Sequence, residues 1–270
     1  MTRTLAHISD LHLGRDAATD AAASRLVEAL LAARVDDVLL TGDVTHRGRR
    51  AEFRLFERVF EPLLEQGRLA VVPGNHDRMG DDVAEALVGG GRVSVLPRPG
   101  LHVVRLDSTA PHNRSLVDGH GELTSRDVAE VEAALGEVPR GAMSVLMLHH
   151  HLLPLPEDDL AERLATLLGW PCAGELPLGR DLLRRVLGRC RLVLHGHRHV
   201  PSELRLSAPG LPDLRLANAG STTALGRTRV FCHVEGEVLW EGWLSTGPLP
   251  ARAWTGAPIS RRAAREPATA

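Results

Sequence analysis

Leu5-Ala6-His7-Ile8-Ser9 runs directly into Asp10-Leu11-His12, so a short apolar segment delivers a carboxylate and an imidazole at its end. Four further runs behave alike. Residues 37–40 precede Gly42-Asp43, residues 69–72 precede Gly74-Asn75-His76-Asp77, residues 143–148 precede His149, and residues 192–194 precede Gly196-His197-Arg198-His199. Each is rich in branched side chains and bounded by Gly, Pro or charge, the pattern of a buried strand. In an open α/β sheet, ligands bind beyond the carboxyl ends of the strands, so five such ends converge on one cleft.

Between the runs lie helices. Residues 19–34 place Leu26, Val27, Leu30 and Leu31 at helical spacing, and residues 50–64 do the same with Phe53, Phe56, Val59, Phe60 and Leu63 before Gln66-Gly67 ends the pattern. Further helices are expected over 81–88, over 124–135 with Thr124 as cap and Asp127 completing a capping box, and over 180–187. Strands are expected over 93–96 and 101–106, and beyond Val200 over 203–206, 213–217, 229–234 and 238–243, joined by turns. The helices therefore flank two sheets, one fed by crossovers and one largely antiparallel. Residues 152–178 read as a proline-rich helical excursion over the site mouth, with an amphipathic piece at 160–168. Residues 1–246 form one domain, and 247–270 a Pro-, Ala- and Arg-rich tail or arm. A homodimer would form through the excursion or the tail.

The 270 residues carry a net charge of −2, which favours neither a membrane surface nor a nucleic-acid partner. The sequence contains no Lys, which excludes Schiff-base and P-loop lysine chemistry. Cys172, Cys190 and Cys232 are widely spaced and read as small buried hydrophobes or free thiols. The first strand leaves no room for a signal peptide and no apolar run reaches spanning length, so a cytoplasmic location is expected.

The chemistry follows from the strand tips. Asp10 and His12 are one residue apart and are expected to face the same side of an extended segment. Asp43, on a tight turn after Gly42, has two oxygens with which to bridge two ions. Asn75 adds a neutral amide oxygen, and His197 and His199 each reach a different ion or flank the pair. This mixed nitrogen and oxygen set, without thiolates, suits Mn, Fe, Zn or Co. Two such ions, about 3.5–4 Å apart, clamp a phosphoryl group and generate hydroxide between them. Against Asp10 and Asp43 they leave a charge of about +2, or about +1 with a bridging hydroxide, which attracts an anionic phosphoester.

The set Asp10-x-His12, Gly42-Asp43, Gly74-Asn75-His76-Asp77, His149 and Gly196-His197-x-His199 resembles the calcineurin-like metallophosphoesterase superfamily. The resemblance extends from about residue 4 to 221, including Asn218-Ala219-Gly220-Ser221. It implies an α/β fold, a four-layer αββα sandwich of two mixed sheets flanked by helices. It further implies one ion held by Asp10, His12, Asp43 and His199, and a second held by Asp43, Asn75, His149 and His197. His149 is selected over His150 and His151 as the first histidine of its run, although the proline that follows in the family is Leu152 here. His76 resembles the catalytic histidine, with Asn75 and His76 binding the phosphoryl oxygens. In several branches an Asp beside the bridging carboxylate orients that histidine. Here Val44-Thr45-His46 follows Asp43, leaving Asp77 or Asp107.

Thr41-Gly42-Asp43-Val44-Thr45, Leu106-Asp107-Ser108 with Gly121-Glu122-Leu123, and His149-His150-His151 are similar to the bacterial class III cyclic-nucleotide and glycerophosphodiester phosphodiesterase branch. The function this implies is hydrolysis of 3',5'-cyclic AMP or another small phosphodiester by a metal-bridging hydroxide. The alternatives are a phosphomonoesterase, a nuclease of the same superfamily, for which a basic stripe is missing, and a metal-free protein-binding scaffold, which would lose ligands that this chain retains. His7, His46, His102, His112, His120, His195 and His233 are assigned to the surface or to positions behind the ligands, and His150 to orienting a ligand. Arg47, Arg49 and Arg50 read as a solvated turn and helix start, with Arg47 within reach of a substrate phosphate.

Overall fold

The computed structural model describes residues 2–110, 121–153 and 176–247. His112, His120, Cys172, the amphipathic piece at 160–168 and the tail from 248 onward lie outside the described residues.

Strand β1 (Arg3–Ile8) pairs in parallel with β2 (Asp37–Thr41), and β2 with β3 (Leu69–Val72); α1 (Ala17–Ala32) and α2 (Arg50–Glu65) make the crossovers. The second sheet is built on β4 (Val93–Arg98), β5 (Leu101–Leu106), β6 (Met143–Met147) and β7 (Leu192–His195), with α3 (Ala84–Val88), α4 (Ser125–Gly136) and α5 (Gly179–Val186) between strands. After it come β8 (Ser202–Leu206), β9 (Leu214–Asn218), the single turn α6 (Thr222–Leu225), β10 (Arg227–Val234) and β11 (Glu237–Ser245).

The four C-terminal strands do not form an antiparallel sheet of their own, as their turn-linked pattern suggests. The sheet orders are β11-β10-β1-β2-β3 and β4-β5-β6-β7-β9-β8, so β8 and β9 extend the second sheet while β10 and β11 return to the first. Both sheets are mixed: β10 and β11 are antiparallel additions to the first, and β4 and β8 are antiparallel edges of the second.

Three cores separate four layers. Leu26, Leu30, Phe56, Phe60 and Leu63 pack α1 and α2 on one face of the first sheet. Leu5, Leu39, Val103, Val145, Leu194 and Phe231 fill the space between the sheets. Val128, Val131, Leu135, Leu182 and Val186 pack α4 and α5 on the outer face of the second. Every residue of β2 and β6 is buried, which is why these strands read as continuous apolar runs.

Helix starts follow local chemistry. The Asp16 carboxylate accepts the Thr19 N–H at 2.8 Å to cap α1, and the Thr124/Asp127 capping box forms at α4 as the sequence predicts. The helix expected over 81–88 begins only at Ala84. Asp82 adopts a left-handed φ of 51°, and the Val83 N–H donates to the Asp77 carbonyl, so the preceding residues form a turn.

Candidate metal centre

The tips of β1, β2, β3, β6 and β7 meet at one end of the two sheets, and the backbone there is unusual. Asp10, His12, Asp43 and His197 have φ of 52°, 49°, 51° and 69°, the left-handed region that non-glycine residues rarely occupy. Such strain persists only where surrounding bonds enforce it, and it clusters at functional sites. The Asp10 and His12 amides donate to the Gly42 and Asp43 carbonyls, each at 3.0 Å. Asp10 and His12 therefore converge because the chain turns onto the β2 tip, and not through the alternation of an extended segment.

One cluster joins Asp10, His12, Asp43 and His199, whose ligating atoms lie within 4.8 Å of one another. His12 Nε2 is 3.1 Å from His199 Nε2 and 3.8 Å from Asp43 Oδ2, and His199 Nε2 is 3.6 Å from Asp10 Oδ1. Asp10 is fully buried and neither carboxylate oxygen has a hydrogen-bond partner. Burial, with the Asp43 charge adding to it, pushes its carboxyl up to about 7, and burial pushes His12 down to about 3. A buried carboxylate with both oxygens orphaned is expensive unless a cation faces it.

A second cluster surrounds Asn75. Its Oδ1 lies 3.1 Å from His149 Nε2 and 3.0 Å from His197 Nδ1, and His149 Nε2 lies 3.5 Å from Asp43 Oδ1. His149 Nδ1 donates to the Thr41 carbonyl at 2.7 Å, which turns Nε2 toward the cluster. Asp43 thus turns one oxygen to each cluster. Burial alone would raise its carboxyl, but the His149, His76 and His12 imidazoles outweigh burial and hold it below the usual range. Neighbouring donors 3.0–3.8 Å apart match nitrogen and oxygen ligands about 2.0–2.2 Å from a shared ion. The residues fit two divalent ions, with Asp43 between them.

Small residues make this approach possible. A Cβ on Gly42 would fall 2.4 Å from His149 Nδ1, and one on Gly74 2.1 Å from Asp43 Oδ1. Hydroxyls hold the loops: Ser221 Oγ donates to the Asp10 carbonyl at 2.9 Å, Thr223 Oγ1 to the Leu11 carbonyl at 3.1 Å, and Thr222 Oγ1 accepts the Ser9 N–H at 3.0 Å. Asn218 donates to the Gly196 carbonyl at 3.1 Å. The Asn218-Ala219-Gly220-Ser221 match was visible in the sequence, whereas the roles of Thr222 and Thr223 had no signal beyond their adjacency to it.

His76 projects beside this centre, its ring centroid 4.7 Å from that of His12. Its amide donates to Asp43 Oδ1 at 2.9 Å, and its Nδ1 donates to the His46 carbonyl at 2.7 Å. Neither Asp77 nor Asp107 orients the ring. Asp77 accepts from the Gly74, Val44 and Thr45 amides and the Thr45 hydroxyl, tying the β2 and β3 tips together. Asp107 pairs with Arg78 at 2.5 Å and accepts from the Thr109 hydroxyl.

Residues 3–201 match the family model described as Calcineurin-like phosphoesterase. The chain belongs to that family. A Rhodococcus erythropolis protein described as a probable cyclic nucleotide phosphodiesterase is 30% identical over 72% of this chain and 64% of its own length. A Mycobacterium tuberculosis protein described as a cAMP/cGMP dual specificity phosphodiesterase is 29% identical over 72% of this chain and 61% of its own. The match thus spans under two thirds of either relative. Among solved structures, a purple acid phosphatase from yellow lupin seeds superposes with a TM-score of 0.61 at 11% identity, covering 91% of this chain and 54% of the other. A dimetal phosphatase from Danio rerio gives 0.58 at 12% identity, covering 90% and 99%. These two likenesses establish the fold.

In this calcineurin-like phosphoesterase the remaining histidines are mostly internal. His7, His102, His195 and His233 are buried rather than on the surface. His7 Nε2 meets the Thr41 hydroxyl at 3.0 Å and His102 Nε2 the Ala134 carbonyl at 2.9 Å, contacts that allow a polar ring in the interior. His46 is half-buried, with its ring stacked against His76 at 5.9 Å. Arg47 is exposed, as the solvated-turn reading requires. No helix among the described residues is long and apolar enough to cross a membrane.

Proposed function

We propose that the protein is a metal-dependent phosphoester hydrolase, a phosphodiesterase acting on 3',5'-cyclic AMP or another small phosphodiester. The observation that carries this reading is the Asp43 carboxylate, whose two oxygens face separate ligand clusters 3.8 Å and 3.5 Å from the nearest imidazole nitrogens. One cluster is Asp10, His12, Asp43 and His199, and the other is Asp43, Asn75, His149 and His197. The diester preference is supported by the descriptions of the relatives from Rhodococcus erythropolis and Mycobacterium tuberculosis.

Divalent ions such as Mn, Fe, Zn or Co, when bound, supply hydroxide at neutral pH and offset the charge of the phosphoryl oxygens. The chain's own residues do the rest. His76 is held through Nδ1 by the His46 carbonyl, so Nε2 is the nitrogen that meets the substrate. A proton on that Nε2 passes to the departing ribose oxygen, which otherwise leaves as a poor alkoxide. The left-handed turns at Asp10, His12, Asp43 and His197 hold the charged groups before substrate arrives, so little reorganisation accompanies reaction.

Hydrolysis of bis(p-nitrophenyl) phosphate after chelation and reconstitution tests the reading. Activity returns with one or more of Mn, Fe, Co and Zn in the wild type and is lost in Asp43→Asn. A protein that binds none of these ions and stays inactive is instead a scaffold. Comparing cyclic AMP, a glycerophosphodiester, p-nitrophenyl phosphate and single-stranded DNA ranks the substrates; preference for the monoester or the DNA overturns the small-diester assignment.

A further inference from the structure

Ser108 lies just past β5, fully buried, and its hydroxyl oxygen touches three nitrogens at the β6 tip. The backbone N–H groups of His149 and His150 each donate to Oγ at 3.2 Å, and His150 Nδ1 lies 3.0 Å from the same oxygen. A hydroxyl has two lone pairs and one proton. Two amides occupy the lone pairs, so the proton goes to His150 Nδ1. His150 is thereby fixed as the neutral tautomer with its proton on Nε2.

His149, His150 and His197 offer ring nitrogens within 4.8 Å of one another, an arrangement that invites all three to share an ion. A ring that accepts at Nδ1 and carries a proton on Nε2 has no lone pair left for a metal. His150 packs against His197 instead, with ring centroids 4.9 Å apart and tilted by 41°. Its seat is tight, since a Cβ on Gly121 would fall 2.7 Å from His150 Cγ. The restraint also passes along the backbone, because the His149 carbonyl accepts the N–H of Gly196, the residue before His197, at 3.0 Å.

We propose that Ser108 and His150 form a positioning pair for the second metal site, Ser108 fixing the backbone of His149 and the tautomer of His150, and His150 setting the His197 ring. The inference rests on the two-ion reading above, and its tests separate the two. Long-range 1H–15N NMR of the zinc-loaded wild type reads the tautomer directly. The expected pattern for His150 is a protonated Nε2 and an accepting Nδ1; a protonated Nδ1 or a zinc-shifted nitrogen overturns the pairing.

Chelator competition with zinc reads the energetics. Ser108→Ala is expected to bind the second ion about 10–100-fold more weakly while the first is held as before, and Ser108→Thr, which keeps the hydroxyl, to recover most of that loss. Two ions bound with wild-type affinity in Ser108→Ala overturn the positioning pair and leave the two-ion reading intact. A wild type that takes up fewer than two zinc ions overturns both. The NMR measurement needs no variant, so it decides the matter even if Ser108→Ala folds poorly.

Discussion

Gly196 stands so close to Asp10 that a Cβ on it would fall 2.7 Å from Asp10 Oδ2 and 1.9 Å from Ser9 Oγ. The second contact is far inside van der Waals distance, and the methyl group has nowhere to go between two buried loops. Gly196→Ala is therefore expected to push the β7 tip away from the β1 tip. Metal analysis should show the Asp10, His12, Asp43 and His199 site losing its ion first, with activity reduced at least about tenfold. Full occupancy of both sites in this variant would contradict the close approach.

Asp10 sets function against stability. Its carboxylate is buried with both oxygens unpartnered, so without metal it opposes folding. Asp10→Asn removes the charge at nearly constant shape. In chelator the variant should be more stable than wild type by on the order of 1–2 kcal/mol at pH 8, read by urea unfolding, while the stabilisation produced by added zinc or manganese is largely lost. Equal stability of the two proteins in chelator would mean that Asp10 is already satisfied.

The metal-free protein should be acid-labile. Burial pushes His195 down to about 4 and His151 to about 3, and holds His7 well below the usual value of 6.5. Below about pH 6.5 the unfolded chain takes up protons that these native rings refuse, so their contribution is complete above that pH and is lost as pH falls toward 4. Asp10 acts in the opposite sense: its native carboxyl titrates at about 7 against 3.8 in the unfolded chain, so its contribution is lost as pH rises through that interval. Asp37, Asp77 and His149 are shifted upward like Asp10, but the groups held down, which also include His12, His197, His199 and Asp43, outnumber them. Thermal unfolding in chelator should show Tm falling steadily from pH 6.5 to 4.5; a flat or rising Tm would refute the burial of neutral rings.

His76→Asn should separate chemistry from metal binding. The variant keeps both ions, because the His76 ring lies outside the two ligand sets, and loses about 10²–10⁴-fold in kcat on a diester with an alkoxide leaving group. The loss on a p-nitrophenyl ester, whose leaving group needs little protonation, should be much smaller. An equal loss on both substrates would remove His76 from the role of proton donor.

Thiol labelling mapped by mass spectrometry offers a check on the core beneath α4 and α5, to which Cys190 belongs. Burial pushes the Cys190 thiol up to about 12, and Cys190 is completely enclosed. It should resist iodoacetamide at pH 8 in the native protein and react on unfolding, while the partly exposed Cys232 reacts in both states.

The convergence of candidate ligands at the strand tips was legible because its signals are local. An apolar run, a flanking glycine and a carboxylate or imidazole sit within a few residues of one another at Asp10, Asp43, Asn75, His149 and His197. The support for His76 was hidden, since it comes from a main-chain carbonyl, and any residue at position 46 presents one. The sequence points instead to a carboxylate, Asp77 or Asp107, and the fold engages both elsewhere. The destination of β10 and β11 was hidden for another reason: alternation marks a strand and its faces but says nothing about which sheet edge is vacant. Buried His7 and His195 depend likewise on the space between two sheets, which exists only once both have formed.

The return of β10 to β1 has a consequence for the order in which the protein is made. The Thr228 hydroxyl donates to the carbonyl of His7, 221 residues earlier, and Ser221 and Thr223 tether Asp10 and Leu11. Asp10 and Leu11 thus leave the ribosome 211 and 212 residues before the hydroxyls that tether them. At about 5–20 residues per second, their loop waits about 10–40 s for its fasteners. A nascent chain stalled before residue 221 therefore carries the Asp10 and His12 side chains without the hydroxyls that align their loop.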